Sequence, residues 1–294
     1  MDFGRVLTAM VTPFNEQGEV DRQQTKALVN YLLTHGSDGI IVAGTTGESP
    51  TLTTAEKVDL FHHVVDIVGD RGPVIAGTGS NNTKQSIELT KEAERAGVDG
   101  IMLVTPYYNK PSQKGLYEHF KAIAQSTHLP IMLYNIPGRS ATNLDVDTTI
   151  RLANINNIVS VKDASGDLNA MSEIIRSTPN TFSLYSGDDQ LTLPVVSIGG
   201  QGIVSVSSHI IGEHMQEMIQ LFLQGEVTEA AALHRHLLPV MNALFAQPSP
   251  SPVKAALNMK GIHVGGVRLP LVGLTAEETD SLKEVIQQYN FQAS

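Results

Sequence analysis

Short apolar runs rich in β-branched residues recur along the chain at 7–11, 39–43, 73–76, 99–104, 130–134, 158–162, 182–186 and 202–206. Each is bounded by polar or glycine-containing segments, the pattern of a buried strand. Between them the apolar residues change to helical spacing, as in Leu28, Leu32 and His35 after Asp21, or Val58, Phe61, Val64, Val65 and Val68 after Thr54-Ala55-Glu56. Eight such strand–helix units predict an α/β fold, a (β/α)8 TIM barrel over residues 1–225. A doubly wound sheet would need fewer strands and a phosphate-binding glycine fingerprint, of which Gly77-Thr78-Gly79 supplies only two glycines. The segments Ser37-Asp38-Gly39 and Gly97-Val98-Asp99-Gly100 read as helix-to-strand turns at the bottom of the barrel. After Val206 the strands stop, and helical spacing continues over 209–223, 226–245, 252–259 and 276–289. The proline run at 248–252 is short and flanked by apolar helix faces, so it reads as a rigid turn. Residues 226–294 are therefore expected to form a C-terminal helical appendix packed on the barrel.

Composition narrows the function. The 294 residues are 41% hydrophobic, enough for a large core, and 20 basic against 30 acidic side chains give a formal net charge of -10. No basic cluster is present, so nucleic acid is not an expected partner. No apolar stretch approaches the roughly 20 residues of a membrane span, and the N-terminus lacks a signal-peptide pattern; a cytoplasmic protein without a membrane partner is expected. The absence of cysteine removes disulfides, thiolate ligands and cysteine nucleophiles. The paired histidines diverge, His62 and His63 being adjacent and His234 and His236 two apart on a helix, so no metal site is expected.

One charge stands out. Lys162 ends the apolar run 158–162, just before Asp163-Ala164-Ser165-Gly166. Strand alternation places Ile158, Ser160 and Lys162 on one face, and a barrel strand is covered on both faces. An amine is nucleophilic only when neutral, and burial favours the neutral form of a lysine. Such a group can attack a carbonyl and form a Schiff base that withdraws electrons from the neighbouring carbon. The competing reading is a strand-end lysine that snorkels to solvent.

Residues directly after each strand share one rim, where barrel enzymes place their chemistry. The turn Gly44-Thr45-Thr46-Gly47-Glu48-Ser49 can present hydroxyls and backbone N–H groups to a small carboxylate, or simply cap a strand-to-helix turn. Tyr134 can pass protons if its phenol reaches a threonine and another tyrosine, or it can be core. Arg139 can fork onto a second carboxylate or remain solvated. Tyr107-Tyr108-Asn109-Lys110-Pro111 puts two rings on a loop, which suits contact with a ligand, another subunit or the barrel mouth.

Taken in order, the segments 44–49, 107–111, 134–139 and 162–166 closely resemble the family of 4-hydroxy-tetrahydrodipicolinate synthases, formerly called dihydrodipicolinate synthases. The similarity covers essentially the whole chain. It implies that Lys162 condenses with pyruvate, that the resulting enamine attacks L-aspartate 4-semialdehyde, and that no cofactor is required. It further implies a proton relay of Tyr134, Thr45 and Tyr108, the last reaching in from a neighbouring subunit. Thr46 and the backbone around Val204 would hold pyruvate, and Arg139 the carboxylate of the semialdehyde; Gly187, on the same rim, is assigned to the substrate pocket as well. A homo-oligomer is then expected, either a dimer or a tetramer built as a dimer of dimers. Related N-acetylneuraminate lyases and keto-deoxy sugar-acid aldolases share the lysine and the tyrosine, but Thr45-Thr46 and Arg139 favour the synthase. A non-catalytic pyruvate sensor or scaffold would be expected to lack part of the lysine, tyrosine and threonine set, and all are present.

One departure concerns regulation. Lysine-inhibited relatives use a subunit-interface site whose matching positions here are Ser49, Thr54, Lys57, Asn81, Gln85 and Tyr107. Two histidines and an acidic residue of that pattern are replaced by Thr54, Lys57 and Gln85. The allosteric site is therefore expected to be degenerate, with a cation facing an ammonium ligand.

Overall fold

The computed structural model describes residues 3–289. Every predicted apolar run contributes a strand: β1 (Val6–Ala9), β2 (Gly39–Val42), β3 (Val74–Gly77), β4 (Gly100–Val104), β5 (Ile131–Asn135), β6 (Ile158–Asp163), β7 (Ser183–Ser186) and β8 (Gly202–Ser205). They pair in chain order as parallel neighbours, and β8 returns to β1 through Val6–Ile203, Leu7–Val204 and Thr8–Ser205. The sheet is thus a closed barrel without edges.

Several of the helices start where the sequence offers a side-chain cap. Asp21, Asn82, Ser112 and Asp167 each accept a backbone N–H in the first turn of the helices Arg22–Thr34, Thr83–Arg95, Gln113–Ala124 and Leu168–Ser177. Thr53 and Glu56 form a reciprocal capping box on Thr54–Val68. At the opposite end of the barrel, Asp38 accepts the N–H groups of Arg5 and Val6 at 2.6 and 2.9 Å, and Asp99 accepts that of Val74 at 2.8 Å. The two similar segments around Asp38-Gly39 and Asp99-Gly100 therefore each tie the start of the preceding strand.

The strands separate two apolar layers. Phe3, Leu7, Ile41, Ile75, Met102, Met132, Tyr134, Tyr185 and Val204 fill the barrel interior, while Val6, Ile40, Val42, Ile101, Leu133, Val161 and Ile203 face the helices. One strand departs from simple alternation. Ile131 pairs with Ile158 but Met132 pairs with Ser160, a bulge that advances β6 by one residue. Ile158 consequently joins the helix-facing layer and Val159 packs against the interior one, so the expected face shared by Ile158 and Lys162 is corrected. Lys162 itself is unaffected, because the irregularity precedes it.

After β8 the chain forms the helices Ser208–Leu223, Val227–Ala243, Ser251–Met259 and Ala276–Gln287. Leu237, Val240, Met241, Val253, Leu257, Val264, Leu282 and Ile286 belong to the same apolar cluster as the barrel helices. Among the described residues no helix is long and apolar enough to cross a membrane.

Candidate active site

Parallel pairing of β5 and β6 sets Tyr134 beside Lys162, and β7 sets Tyr185 on the other side. Lys162 is 5% exposed, and its Nζ lies 4.0 Å from the centroid of the Tyr134 ring. Among the described residues no carboxylate lies within 4.0 Å of that amine. The adjacent Asp163 is turned to other partners, accepting from Asn135 Nδ2 at 3.1 Å and from the Ser165 N–H at 2.8 Å. The amine is therefore buried against an aromatic face with nothing to hold it as an ion pair. The same face can stabilise the cation of an iminium formed at Nζ.

Gly187 explains how the lysine side chain is directed. A Cβ at this position would lie 2.8 Å from Ala164 Cβ and 3.0 Å from Lys162 Cε, so only glycine leaves the lysine its place. The backbone N–H of Gly187 donates to the Asp163 carbonyl at 2.7 Å, fixing the approach. Gly187→Ala should displace the Lys162 side chain, lowering turnover about 10- to 100-fold while costing about 1–3 kcal/mol from overpacking. Steady-state kinetics with urea denaturation would measure both; unchanged turnover would show that this lysine rotamer is not required.

The glycine turn after β2 is held in a costly conformation. Ala43 and Glu48, on either side of Thr45-Thr46, have φ of 54° and 57°, in the left-handed region disfavoured for side-chain-bearing residues. Tyr108, Lys110 and Ala141 share this property, so all the non-glycine positive φ angles of the described residues follow β2, β4 or β5 on one rim. Strain of this kind persists where surrounding contacts impose it, and it gathers at functional sites. Here Thr12 Oγ1 donates to the Gly47 carbonyl at 2.6 Å, and the Ser49 N–H donates to the Gly44 carbonyl at 3.3 Å.

Thr45, Tyr134 and Arg139 line one cavity of about 780 Å³ at this rim. Among the described residues neither the Thr45 hydroxyl nor the Tyr134 phenol makes a side-chain hydrogen bond, which leaves both free to engage a ligand. Thr46 is buried in the same turn, and Val204 is buried in the barrel interior on β8. Arg139 is exposed on the short helix Pro137–Ser140. Its segment is anchored by Asn135, whose amide nitrogen also donates to Asn143 Oδ1 at 3.0 Å and whose Oδ1 accepts the Leu144 N–H at 2.9 Å. Tyr108 is 89% exposed and does not border this cavity.

Two buried groups that brace the rim lie outside the motifs singled out from sequence. Asp189 accepts from Ser205 Oγ at 2.5 Å, from the Ser207 N–H and hydroxyl at 2.9 Å and from the Val206 N–H at 3.2 Å, and burial pushes its carboxyl above the usual range. His209 donates from Nδ1 to the Val206 carbonyl and accepts the Val11 N–H at Nε2, and burial lowers its pKa to about 4. Both fix the end of β8 beyond Val204.

Of the expected regulatory positions, Ser49, Thr54, Lys57, Gln85 and Tyr107 border the same cavity, while the Asn81 carbonyl accepts from Asn109 Nδ2 at 3.0 Å. Burial lowers the pKa of Lys57. Glu88 and Glu92, on the helix face of Gln85, also border the cavity, so the expected loss of acidic character holds for position 85 and not for its surroundings.

Residues 2–289 match the model of the dihydrodipicolinate synthetase family. The 4-hydroxy-tetrahydrodipicolinate synthase 1 of Halalkalibacterium halodurans is 65% identical over 291 residues, covering 99% of each chain. The 4-hydroxy-tetrahydrodipicolinate synthase of Bacillus subtilis is 59% identical over 289 residues, covering 98% of this chain and 100% of that one. The crystal structure of a dihydrodipicolinate synthase from Bacillus anthracis superposes with a TM-score of 0.97 at 59% identity, covering 98% of both chains. With a closed eight-stranded barrel, a buried lysine beside Tyr134 and this similarity over nearly its full length, the chain belongs to the dihydrodipicolinate synthetase family.

Proposed function

We infer that the chain condenses pyruvate with L-aspartate 4-semialdehyde to give 4-hydroxy-tetrahydrodipicolinate, the first committed step of lysine and diaminopimelate biosynthesis, through a Schiff base on Lys162. The observation that carries this reading is the buried Lys162 amine, unpaired by any carboxylate among the described residues and seated on the Tyr134 ring.

Nζ attacks the keto carbon of pyruvate, and loss of water leaves an iminium over the aromatic face. Tyr134 and Thr45 move the protons of this step and accept the methyl proton whose loss gives the enamine. The enamine carbon then bonds to the aldehyde carbon of the semialdehyde, and the aldehyde oxygen takes up a proton to become the hydroxyl. Attack of the substrate amine on the iminium carbon closes the ring and releases Lys162. Thr46 and the backbone at Val204 hold the pyruvate carboxylate, Gly187 leaves room for the lysine, and Arg139, exposed where it borders the cavity, pairs with the semialdehyde carboxylate.

The exposure of Tyr108 supports its use by a neighbouring copy in a cytoplasmic homo-oligomer, a dimer or a dimer of dimers. Sedimentation should show such an assembly, and a fully active monomer would contradict it. Lys57 and the missing carboxylate at position 85 disfavour an ammonium ligand at the expected lysine site, against the pull of Glu88 and Glu92 on the same cavity. In a coupled assay the protein should turn over pyruvate with aspartate semialdehyde, retain activity in millimolar L-lysine, and leave sialic acid and keto-deoxygluconate uncleaved; cleavage of either sugar acid as the main activity would reverse the substrate assignment.

A further inference from the structure

The glycine turn is gripped from a distant part of the chain. Glu48 is buried: its Oε1 forms an ion pair with Lys254 Nζ at 2.7 Å without accepting a hydrogen bond among the described residues, and its Oε2 accepts the Arg268 backbone N–H at 2.9 Å. Lys254 is 1% exposed and also donates to the Gly266 carbonyl at 2.6 Å. Two cations lie against the Phe14 ring, with Lys254 Nζ 4.1 Å and the Arg268 guanidinium 4.3 Å from its centroid. Arg268 donates to the Thr51 carbonyl at 2.9 Å, to the Gly18 carbonyl at 2.7 Å and to Glu56 at 2.5 Å. The turn is therefore held at Glu48 and again at Thr51.

The supporting segment is itself rigidly seated. Asn258 accepts the Val264 N–H at 2.9 Å and donates to the Gly265 carbonyl at 3.0 Å. Gly265 has φ of +68°, and a Cβ there would stand 2.0 Å from the Phe14 carbonyl, so glycine alone permits the contact. Phe14 in turn donates its N–H to the Val264 carbonyl at 3.1 Å.

Such a pair is a poor way to gain stability, because two well-packed apolar residues of similar size often do as well as a buried ion pair. Burial lowers the pKa of Lys254 to about 8 even though Glu48 opposes the shift. The location supplies a different reason. Glu48 adopts the left-handed conformation, and its N–H donates to the Thr45 carbonyl at 3.0 Å, so a residue held through its carboxylate is bonded through its backbone to Thr45. Thr45 borders the cavity and Thr46 is buried in the same turn.

We propose that the Glu48–Lys254 ion pair, clamped by the Arg268 backbone, is a positioning device through which the C-terminal helical region fixes the Thr45-Thr46 turn for proton transfer to pyruvate-derived intermediates. The inference rests on the roles of Lys162 and Thr45 given above. Glu48 and Lys254 are positioning residues; they act through Thr45 without touching substrate.

The test uses full-length Lys254→Met, Glu48→Gln and the double variant. Each is treated with pyruvate and borohydride to count the sites that form the reduced adduct on Lys162, and kcat is then expressed per trapped site. A role in stability alone lowers the melting temperature and the number of competent sites but leaves kcat per trapped site unchanged. Positioning predicts that Lys254→Met still traps pyruvate while kcat per trapped site falls about 10- to 100-fold, the size expected for displacing a catalytic group by a fraction of an ångström. Glu48→Gln should lose about tenfold, and the double variant should recover much of the Lys254→Met loss because no buried carboxylate is left without a counter-ion. Wild-type kcat per trapped site in both single variants would overturn the proposal, and if Lys254→Met does not fold, Glu48→Gln decides it alone. Failure of the wild-type protein to form the adduct would instead refute the Schiff-base reading on which the proposal stands.

Discussion

Replacing Lys162 with methionine should abolish condensation, lowering turnover by about 10⁴-fold or more, the scale seen when a covalent nucleophile is removed. Lys162 is the lysine whose amine lies over the Tyr134 ring, whereas Lys57, the lysine that borders the cavity, sits on the helix Thr54–Val68. The substitution is informative because it separates chemistry from folding. Methionine matches the length of the lysine stem and can occupy the same place beside Gly187. A 5% exposed amine with no carboxylate within 4.0 Å among the described residues also pays a desolvation penalty that methionine lacks. The variant should therefore unfold in urea at the same or a higher midpoint while being inactive. Residual turnover within tenfold of wild type would mean that the reaction does not proceed through this amine.

Tyr134→Phe carries the second large effect. The ring remains beneath Nζ at the neighbouring register position, so burial and packing around Lys162 are kept and only the phenol is lost. Turnover should fall about 10²- to 10⁴-fold, the range for a general acid–base group. Carbinolamine dehydration and enamine formation both need that proton path, so the rate of imine formation should fall together with kcat while the KM for pyruvate changes little. Rapid-quench trapping of the imine measures this directly. A wild-type trapping rate in the phenylalanine variant would assign the proton transfers to another group.

The barrel was legible in the sequence because its strands are short β-branched runs separated by capped helices, and counting eight of them leaves few alternatives. Lys162 was legible for a related reason, since a lone cation at the end of an apolar run requires explanation wherever it points. The face of Ile158 was misjudged because a bulge in β6 shifts the alternation, and its cause is pairing with β5 rather than any residue within the run. Lys254 displays the same signal as Lys162, a single cation among Val253, Ala255, Ala256 and Leu257, but its partner Glu48 lies at the other end of the chain and only the closed fold brings them together. Glu88 and Glu92 lie outside the pattern of regulatory positions expected from the sequence, yet their spacing from Gln85 lets one helical face present all three to the cavity. The exposure of Tyr108 was foreseeable from a loop bearing two adjacent rings, whereas its left-handed backbone was not, because no glycine marks it.

The central claim is that Lys162 forms an imine with pyruvate. Incubation of the wild-type protein with pyruvate and borohydride, followed by peptide mass spectrometry, should locate one reduced pyruvate adduct per chain on Lys162 and none in Lys162→Met. An unmodified Lys162 peptide, or an adduct on any other lysine, would contradict the account.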